Sequence, residues 1–490
     1  MLNTRRAPSR SMAQLIAAVV LTSAFACTRS IPGEMTLTTS SVEARAIFLE
    51  ARWQYENFHL WAALELLETA LELDPEFAMA HSYLGLAAPT AALRGEAMDK
   101  AQQLGVVCSA AEQLFIEALV AGAQGNPKLA VKLMSKVSKL HPYDSRPSYF
   151  AGLYYYRDLD DLEMASEWLN RSRTNAPLFP PTLNTLGYLY MDADNLGAAE
   201  SVLREQLELL PDQPNPYNSM GDLFMKAGRH EEAVNYYAQA VALDSTFALA
   251  QRNIGINLVW GHRYEEGRKA IMKSIEMASI QSGKIAGWGA LVRSYLYERQ
   301  HGAALDACRQ AIAKAAELGY PGLQTSYELL RSLISIRMAD YEQAKTALDV
   351  AQSVVNNANM PTYSKLSWKR RILIGRTALA AGQNDYALAN RQSALLLQSI
   401  QQADNPQLMA LYHLAKGKTD LVQGKFVTAI DQLELTNMHS PYDVYYLAVA
   451  YQRVGSDALS ESLMKKVATW NRDGEPYALV RADAIRRANR

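Results

Sequence analysis

Cysteine is scarce in this chain of 490 residues. Cys27, Cys108 and Cys308 form no CxxC spacing, which excludes a zinc-ribbon or thioredoxin-like motif. The eight histidines are scattered and none belongs to an HExxH motif. The closest two, His59 and His81, read as a helix-face and a helix-start residue rather than metal ligands. No GxSxG elbow and no Walker A loop occurs. Neither sign of charge dominates: the net charge is −1, which gives no bulk attraction to nucleic acid or acidic lipid. Phenylalanine is also sparse, with 10 against 26 tyrosines, so most aromatics carry a polar edge suited to half-exposed surfaces. After residue 27 no stretch of 18 consecutive apolar residues appears, so the sequence predicts no later membrane-spanning helix. With 49% hydrophobic and 20% charged residues the composition is globular. Its length exceeds a single compact core unless the core grows along one dimension, as in a repeat array.

The amino terminus has a different character. Arg5, Arg6 and Arg10 precede an apolar run from Met12 to Ala26 that is interrupted only by Gln14, Thr22 and Ser23. Ala24-Phe25-Ala26 then places small residues where a signal peptidase needs them, directly before Cys27. The segment resembles a bacterial lipoprotein signal. That resemblance implies that residues 1–26 are a signal peptide and that Cys27 receives diacylglycerol. Thr28 following the cysteine implies the outer membrane rather than retention at the inner one. Ordinary secretion, with Cys27 near a free amino terminus, is the alternative. Residues 27–43 read as a lipidated, flexible tether.

From residue 44 onward the chain repeats itself. In "NTLGYLYMDADNLGAAESVLREQLELLPD", Gly187, Ala199 and Pro211 stand twelve residues apart in turn. The small pair recurs as Gly85/Ala97, Ala118/Ala130, Gly221/Ala233, Gly255/Gly267, Gly375/Ala387 and Gly417/Ala429. Two antiparallel helices approach closely only where their facing side chains are small, and larger residues at helical spacing fill the seam around that contact. Pro75, Pro142 and Pro211 end the second helix of their units. This pattern resembles the tetratricopeptide repeat, with its period of about 34 residues. The fold expected is all-α: an α-solenoid of about 11–12 antiparallel helix pairs.

The second helix of each pair carries its small residue at Ala63, Ala97, Ala130, Ala165, Ala199, Ala233, Gly267, Ala304, Ala344, Ala387, Ala429 and Ala458. Spacings stay at 33–35 up to Gly267 and then widen to 37–43 before the last, shorter one. The sequence therefore predicts a regular array over 44–282, a longer-period array over 283–470 and a basic C-terminal tail over 471–490. The extra residues suffice to lengthen helices by a turn or two, or to enlarge loops. Cys108 and Cys308 fall about six repeats apart, too far for a disulfide in an array whose repeats touch only their neighbours. Cys308 takes an apolar position of its helix.

The resemblance further implies that first helices, called A here, line a concave groove and second helices, B, the convex side. Counting from each seam glycine selects Tyr149, Tyr156 and Arg157, then Asn184 and Tyr188, then Asn218 and Asp222, and finally Arg252 and Asn253. Asn can bond a peptide backbone without reading its sequence, Tyr supplies adaptable contact and Arg252 can pair with a carboxylate. The alternative is that the aromatics simply pack between repeats. The lysines of the clamp by which some family members grip chaperone C-termini are missing. Lys365, Lys369, Arg370, Arg371 and Arg376 form a basic run that either solubilises its face or meets an anion.

The function expected is a non-enzymatic envelope lipoprotein, a scaffold or adaptor binding protein or peptide partners in its groove. No catalytic residue, metal or cofactor is expected, and no nucleic acid. The alternative is a sensory or regulatory module taking a peptide or a small ligand. An enzyme lacks any visible site.

Overall fold

The computed structural model describes residues 33–278, 281–403, 405–471 and 473–489. The expected signal peptide and Cys27 lie outside the described residues. Among the described residues there is no strand, and the helices fall into two compact units, one ending at Pro211 and the other beginning at Asp212.

Unit 1 contains five helix pairs. They are α1 (Val42–Glu56) with α2 (Leu60–Leu73), α3 (Ala78–Ala87) with α4 (Ala91–Gly105), and α5 (Ala110–Ala123) with α6 (Pro127–Leu140). Next come α7 (Ser145–Arg157) with α8 (Leu162–Asn175) and α9 (Pro180–Asp192) with α10 (Leu196–Leu209). Unit 2 contains seven. The first three are α11 (Pro214–Lys226) with α12 (His230–Leu243), α13 (Ala248–Trp260) with α14 (Tyr264–Met277), and α15 (Gln281–Tyr297) with α16 (His301–Glu317). Two long pairs follow, α17 (Pro321–Arg337) with α18 (Tyr341–Asn357) and α19 (Thr362–Gly382) with α20 (Tyr386–Gln401). The last are α21 (Met409–Val422) with α22 (Phe426–Leu433) and α23 (Pro441–Arg453) with α24 (Asp457–Ala468), capped by α25 (Glu475–Ala478) and α26 (Arg481–Ala488). Twelve antiparallel pairs among the described residues match the expected solenoid.

One turn recurs within the pairs. In eleven of the twelve, the residue before helix B adopts a left-handed conformation, from Phe58 (φ 67°) to Gly455 (φ 81°). The next residue caps helix B, and in ten of the eleven its own amide bonds back five residues into helix A, as Asn126 does to the Ala121 carbonyl at 2.8 Å and Asn195 to Tyr190 at 2.8 Å; Asp161 reaches six residues back, to Tyr155 at 3.0 Å. One residue therefore closes a Schellman motif and opens the following helix. Only Gly125, Gly228, Gly424 and Gly455 meet the left-handed requirement without a side chain; His262, Arg299 and Ala339 meet it against their preference. The exception is the second pair, which turns through Ala88-Pro89 into the Thr90 cap.

That cap fixes the seam. In these eleven pairs the small residue is the fourth after the cap, buried and bonded to the cap carbonyl, as Ala199 is to Asn195 at 3.1 Å. In five pairs the large side chain eight residues after the cap enters the space left by a glycine of helix A: Leu169 at Gly152, Leu203 at Gly187, Tyr237 at Gly221, Ile271 at Gly255 and Leu433 at Gly417. A Cβ on Gly187 would lie 2.4 Å from Leu203, and one on Gly221 2.5 Å from Tyr237. Two expected seam residues are corrected by this rule. Ala387 and Ala458 are exposed, because the caps Asp385 and Ser456 put the seam at Ala389 and Ser460. Gly375 likewise faces Leu348 of the preceding pair rather than its own partner helix.

The widened spacing is spent on helix length. The helices from α15 to α20 run to 16–21 residues, against 10–15 upstream, and the last pairs shorten again. The compact units nonetheless divide at 211/212 and not near 282, so the change of period is not a boundary between units.

Both described ends fold back onto A helices. Residues 33–41, the described part of the expected tether, lie extended past the starts of three of them in unit 1. Asp144 accepts from the Met35 amide at 3.3 Å, Glu112 from the amide and hydroxyl of Thr38 at 2.8 and 2.5 Å, and Asp74 from Thr39 and Ser40 at 2.5 and 3.0 Å. All three carboxylates are buried. Against the cost of burial, the hydrogen bonds from Thr39 and Ser40 hold the Asp74 carboxyl below its usual range. Glu34 adds ion pairs to Arg52 at 3.3 Å and Arg146 at 3.1 Å. In unit 2, residues 470, 471 and 473–481 run past α11, α13, α15 and α17. Asp473 pairs with Arg293 at 2.7 Å and accepts from Tyr297 at 2.6 Å, while Glu475 accepts from Ser326 at 2.9 Å. Arg481 stacks on Trp260, and Tyr477 and Val480 are buried. The expected basic tail is thus a packed cap: Asp483 neutralises Arg486 and Arg487, and the apolar residues between the charges enter the core.

The two types of close contact respond oppositely to substitution. A Cβ on Gly255 would lie 2.6 Å from the Gly267 carbonyl oxygen and 2.9 Å from the Ile271 nitrogen, both main-chain atoms. Gly255→Ala is expected to lower stability by about 2–3 kcal/mol, whereas Ala339→Gly, at an exposed left-handed position, raises it by about 1 kcal/mol. Urea titrations followed by circular dichroism measure both, and equal midpoints would contradict the account. Burial pushes the Glu56 carboxyl from 4.5 to about 7, opposed by Arg52. Its charge therefore disfavours the folded state above pH 7, and the penalty vanishes as pH falls below the unfolded value. Glu56→Gln is expected to stabilise unit 1 at pH 8 by up to about 3 kcal/mol and to be neutral near pH 4. A gain independent of pH in the same titrations would contradict this.

Candidate functional site

The residues expected in a groove are placed in three ways. In unit 1, Tyr156, Asn184 and Tyr188 are half-buried on α7 and α9, with Arg157 exposed beside them, and the Tyr156 hydroxyl donates to Asp192 at 2.6 Å. Tyr149 instead packs edge-on against Phe150 and Phe179, with ring centroids at 5.2 and 5.6 Å. Burial pushes its phenol up, as expected of a packing residue.

In unit 2 the polar residues turn towards each other. Asn218 and Asn253 are buried, not groove-lining. Asn253 Nδ2 donates to Asn218 Oδ1 at 3.4 Å and to Asp222 Oδ1 at 3.3 Å, and the Tyr237 hydroxyl donates to Asp222 at 2.6 Å. A carboxylate between two helix pairs needs donors from both, and the asparagines supply them. Arg252 is half-buried, and its Nε has no hydrogen-bond partner among the described residues. Burial and then the neighbouring Arg293 lower its pKa, while Asp473 opposes them. Asp473 is itself paired with Arg293, so its field at Arg252 is outweighed.

The basic run is mostly committed internally. Arg370 is buried and donates to Ser399 at 3.1 and 3.0 Å, Arg376 pairs with Asp349 at 3.2 Å and Arg371 stacks on Trp368.

A cavity of unit 2 lies further along, between successive A helices. About 170 Å³ in volume, it is bounded by Leu333, Ile336 and Arg337 of α17, by Ile374, Ala378, Ala381 and Gly382 of α19 and by Ala415, Lys418, Thr419, Leu421 and Val422 of α21. Tyr442 and Tyr446 of α23 and Leu479 of the cap close it. Lys418 Nζ donates to the Tyr442 hydroxyl at 2.7 Å and sits over both rings, 4.7 and 4.4 Å from their centroids. Burial opposes ionisation of the Tyr446 phenol, yet Lys418 holds it below its usual range. Two cations line the cavity and no carboxylate does. The sequence reading missed this place, although its own rule finds it: one and four residues beyond Gly417 stand Lys418 and Leu421.

The remaining titratable groups of note are the free cysteines. Burial pushes the Cys108 thiol up to about 11 and the Cys308 thiol up to about 12. Cys308 is fully buried and donates to the Tyr327 carbonyl at 3.2 Å.

Residues 214–247, which span α11 and α12, match the family profile described as tetratricopeptide repeat. No curated protein matches the chain. Among solved structures it is similar to MamA, at 21% identity and a TM-score of 0.29, over 33% of this chain and 93% of that one. A tetratricopeptide repeat protein from Parabacteroides merdae is similar at 14% identity and a TM-score of 0.36, over 55% of this chain and 93% of that one. A monomeric IFIT1 mutant with Gppp-AAAA is similar at 14% identity and a TM-score of 0.43, over 86% of this chain and 89% of that one. Residues 214–247 thus match one tetratricopeptide repeat, and ten of the other eleven helix pairs share its left-handed turn.

Proposed function

We propose that the protein is a non-enzymatic adaptor that binds protein or peptide partners through the A-helix face of unit 1 and is held at the bacterial envelope by lipid on Cys27. The observation that carries the binding reading is the surface of α7 and α9. Half-exposed Tyr156, Asn184 and Tyr188 stand beside exposed Arg157 on adjacent A helices, with a composition suited to a polypeptide: aromatic area, amide donors and acceptors, and one cation. Residues 33–41 support it as well, since unit 1 already takes an extended stretch of its own chain through main-chain and hydroxyl hydrogen bonds. The absence of enzymatic chemistry is supported by the two described thiols, which burial keeps protonated and unreactive near neutral pH. The anchor rests on the sequence from Arg5 to Cys27, and the outer membrane on Thr28.

Each half of the reading has its own test. A photo-reactive residue at position 188, on helix A, is expected to crosslink a discrete partner in intact cells, and one at Glu200 on helix B is not; equal yields from both would refute the assignment of the face. Cys27→Ser is expected to move the protein from the membrane to the soluble envelope fraction. Unchanged membrane association would remove the lipid anchor and leave the binding face intact.

A further inference from the structure

The cavity between α17, α19, α21 and α23 goes beyond an adaptor's needs. We propose that it is a binding site for a small monocarboxylate with a compact apolar body, aromatic or branched aliphatic. Its walls are aliphatic, and the small residues Ala378, Ala381, Gly382 and Ala415 leave the space open where larger side chains would have closed it. A volume of about 170 Å³ slightly exceeds that of an engineered apolar cavity of about 150 Å³ that takes benzene, so it suits a body of about six to ten heavy atoms.

The polar lining selects the sign of the ligand. Half-buried Lys418 and exposed Arg337 bring two positive charges, and beside them stand the phenols of Tyr442 and Tyr446, the latter donating to the former at 3.4 Å. A cation in a partly buried apolar setting, as Lys418 is, is ordinarily paired, yet no carboxylate lines this cavity. Asp443, whose carboxyl feels the charge of Lys418, is committed to capping α23 through Ser440 at 2.8 Å. Lys418 meets the faces and hydroxyls of the two tyrosines. A carboxylate completes this set: it accepts from Lys418 and the phenols while its apolar body fills the space beside Ile374 and Leu421. An apolar pocket with a few convergent polar groups is the usual form of a small-molecule site.

This inference does not rest on the adaptor reading, since its readout needs no partner protein. Isothermal titration of the folded chain with phenylacetate, and with its neutral analogue phenylacetamide, tests it. The acid is expected to bind with a dissociation constant below about 1 mM and the amide at least tenfold more weakly. Lys418→Met retains the apolar stem and is expected to abolish the preference for the acid. Ala378→Leu, at a half-buried position, is expected to fill the space and weaken both ligands tenfold or more while leaving the melting temperature unchanged or higher. Equal binding of acid and amide overturns the proposal, as does wild-type affinity for the acid in either variant. Absence of detectable phenylacetate binding at 10 mM overturns it too.

Discussion

The structure depends on one backbone conformation, the left-handed residue that precedes helix B. It reverses the chain while letting a single following residue finish one helix and start the next. Because the cap position is fixed, so are the residues four and eight positions later, and helix A meets a small residue and a large one at set heights. Phe58, His262, Arg299 and Ala339 hold this conformation despite a steric cost of about 1–2 kcal/mol each. That cost is borne because the seam it sets up buries several side chains per pair, each worth more than the strain.

Stacked helix pairs leave two problems, an apolar end at each terminus and an A-helix face that carries polar and charged groups at depth. The chain addresses both with its own termini. Three carboxylates at the starts of A helices, Asp74, Glu112 and Asp144, take hydrogen bonds from an extended segment at Ser40, Thr38 and Met35 respectively. In unit 2 the roles are reversed, and A helices present Arg293 and Tyr297 to Asp473 of the returning segment. In each case a buried or half-buried charge obtains partners from a segment far away in sequence.

The all-α solenoid, the number of pairs and most seam residues were legible because small residues at a twelve-residue offset reflect local helix contact. The phase was lost at Ala387 and Ala458, where alanine is common and the cap, not the alanine, sets the register. The polar residues were harder. Asn218, Asp222 and Asn253 stand where groove residues should, but whether an amide bonds a ligand or the adjacent repeat depends on a carboxylate 31 residues away in sequence, which no single helix pattern shows. The packed cap at 473–489 was hidden for a related reason, since its arginines read as a solvated tail until Asp483 and the buried Val480 are placed beside α23 and α24.

The longer helices give the second half of the array its distinct chemistry. Adding about one turn to each helix from α15 to α20 extends the A-helix face past the point where neighbouring pairs are matched in length. α21 returns to 14 residues while α19 has 21, and since both end two residues before the left-handed residue of the turn, the extra length of α19 lies at its start. The cavity opens at the other, matched end, where Ala378, Ala381 and Gly382 of α19 supply little bulk. Lys418 enters it from α21 because it stands one residue beyond Gly417, the glycine that brings α21 against Leu433 of its partner helix. The same seam that packs the repeat therefore directs a cation into the space that these small residues leave open.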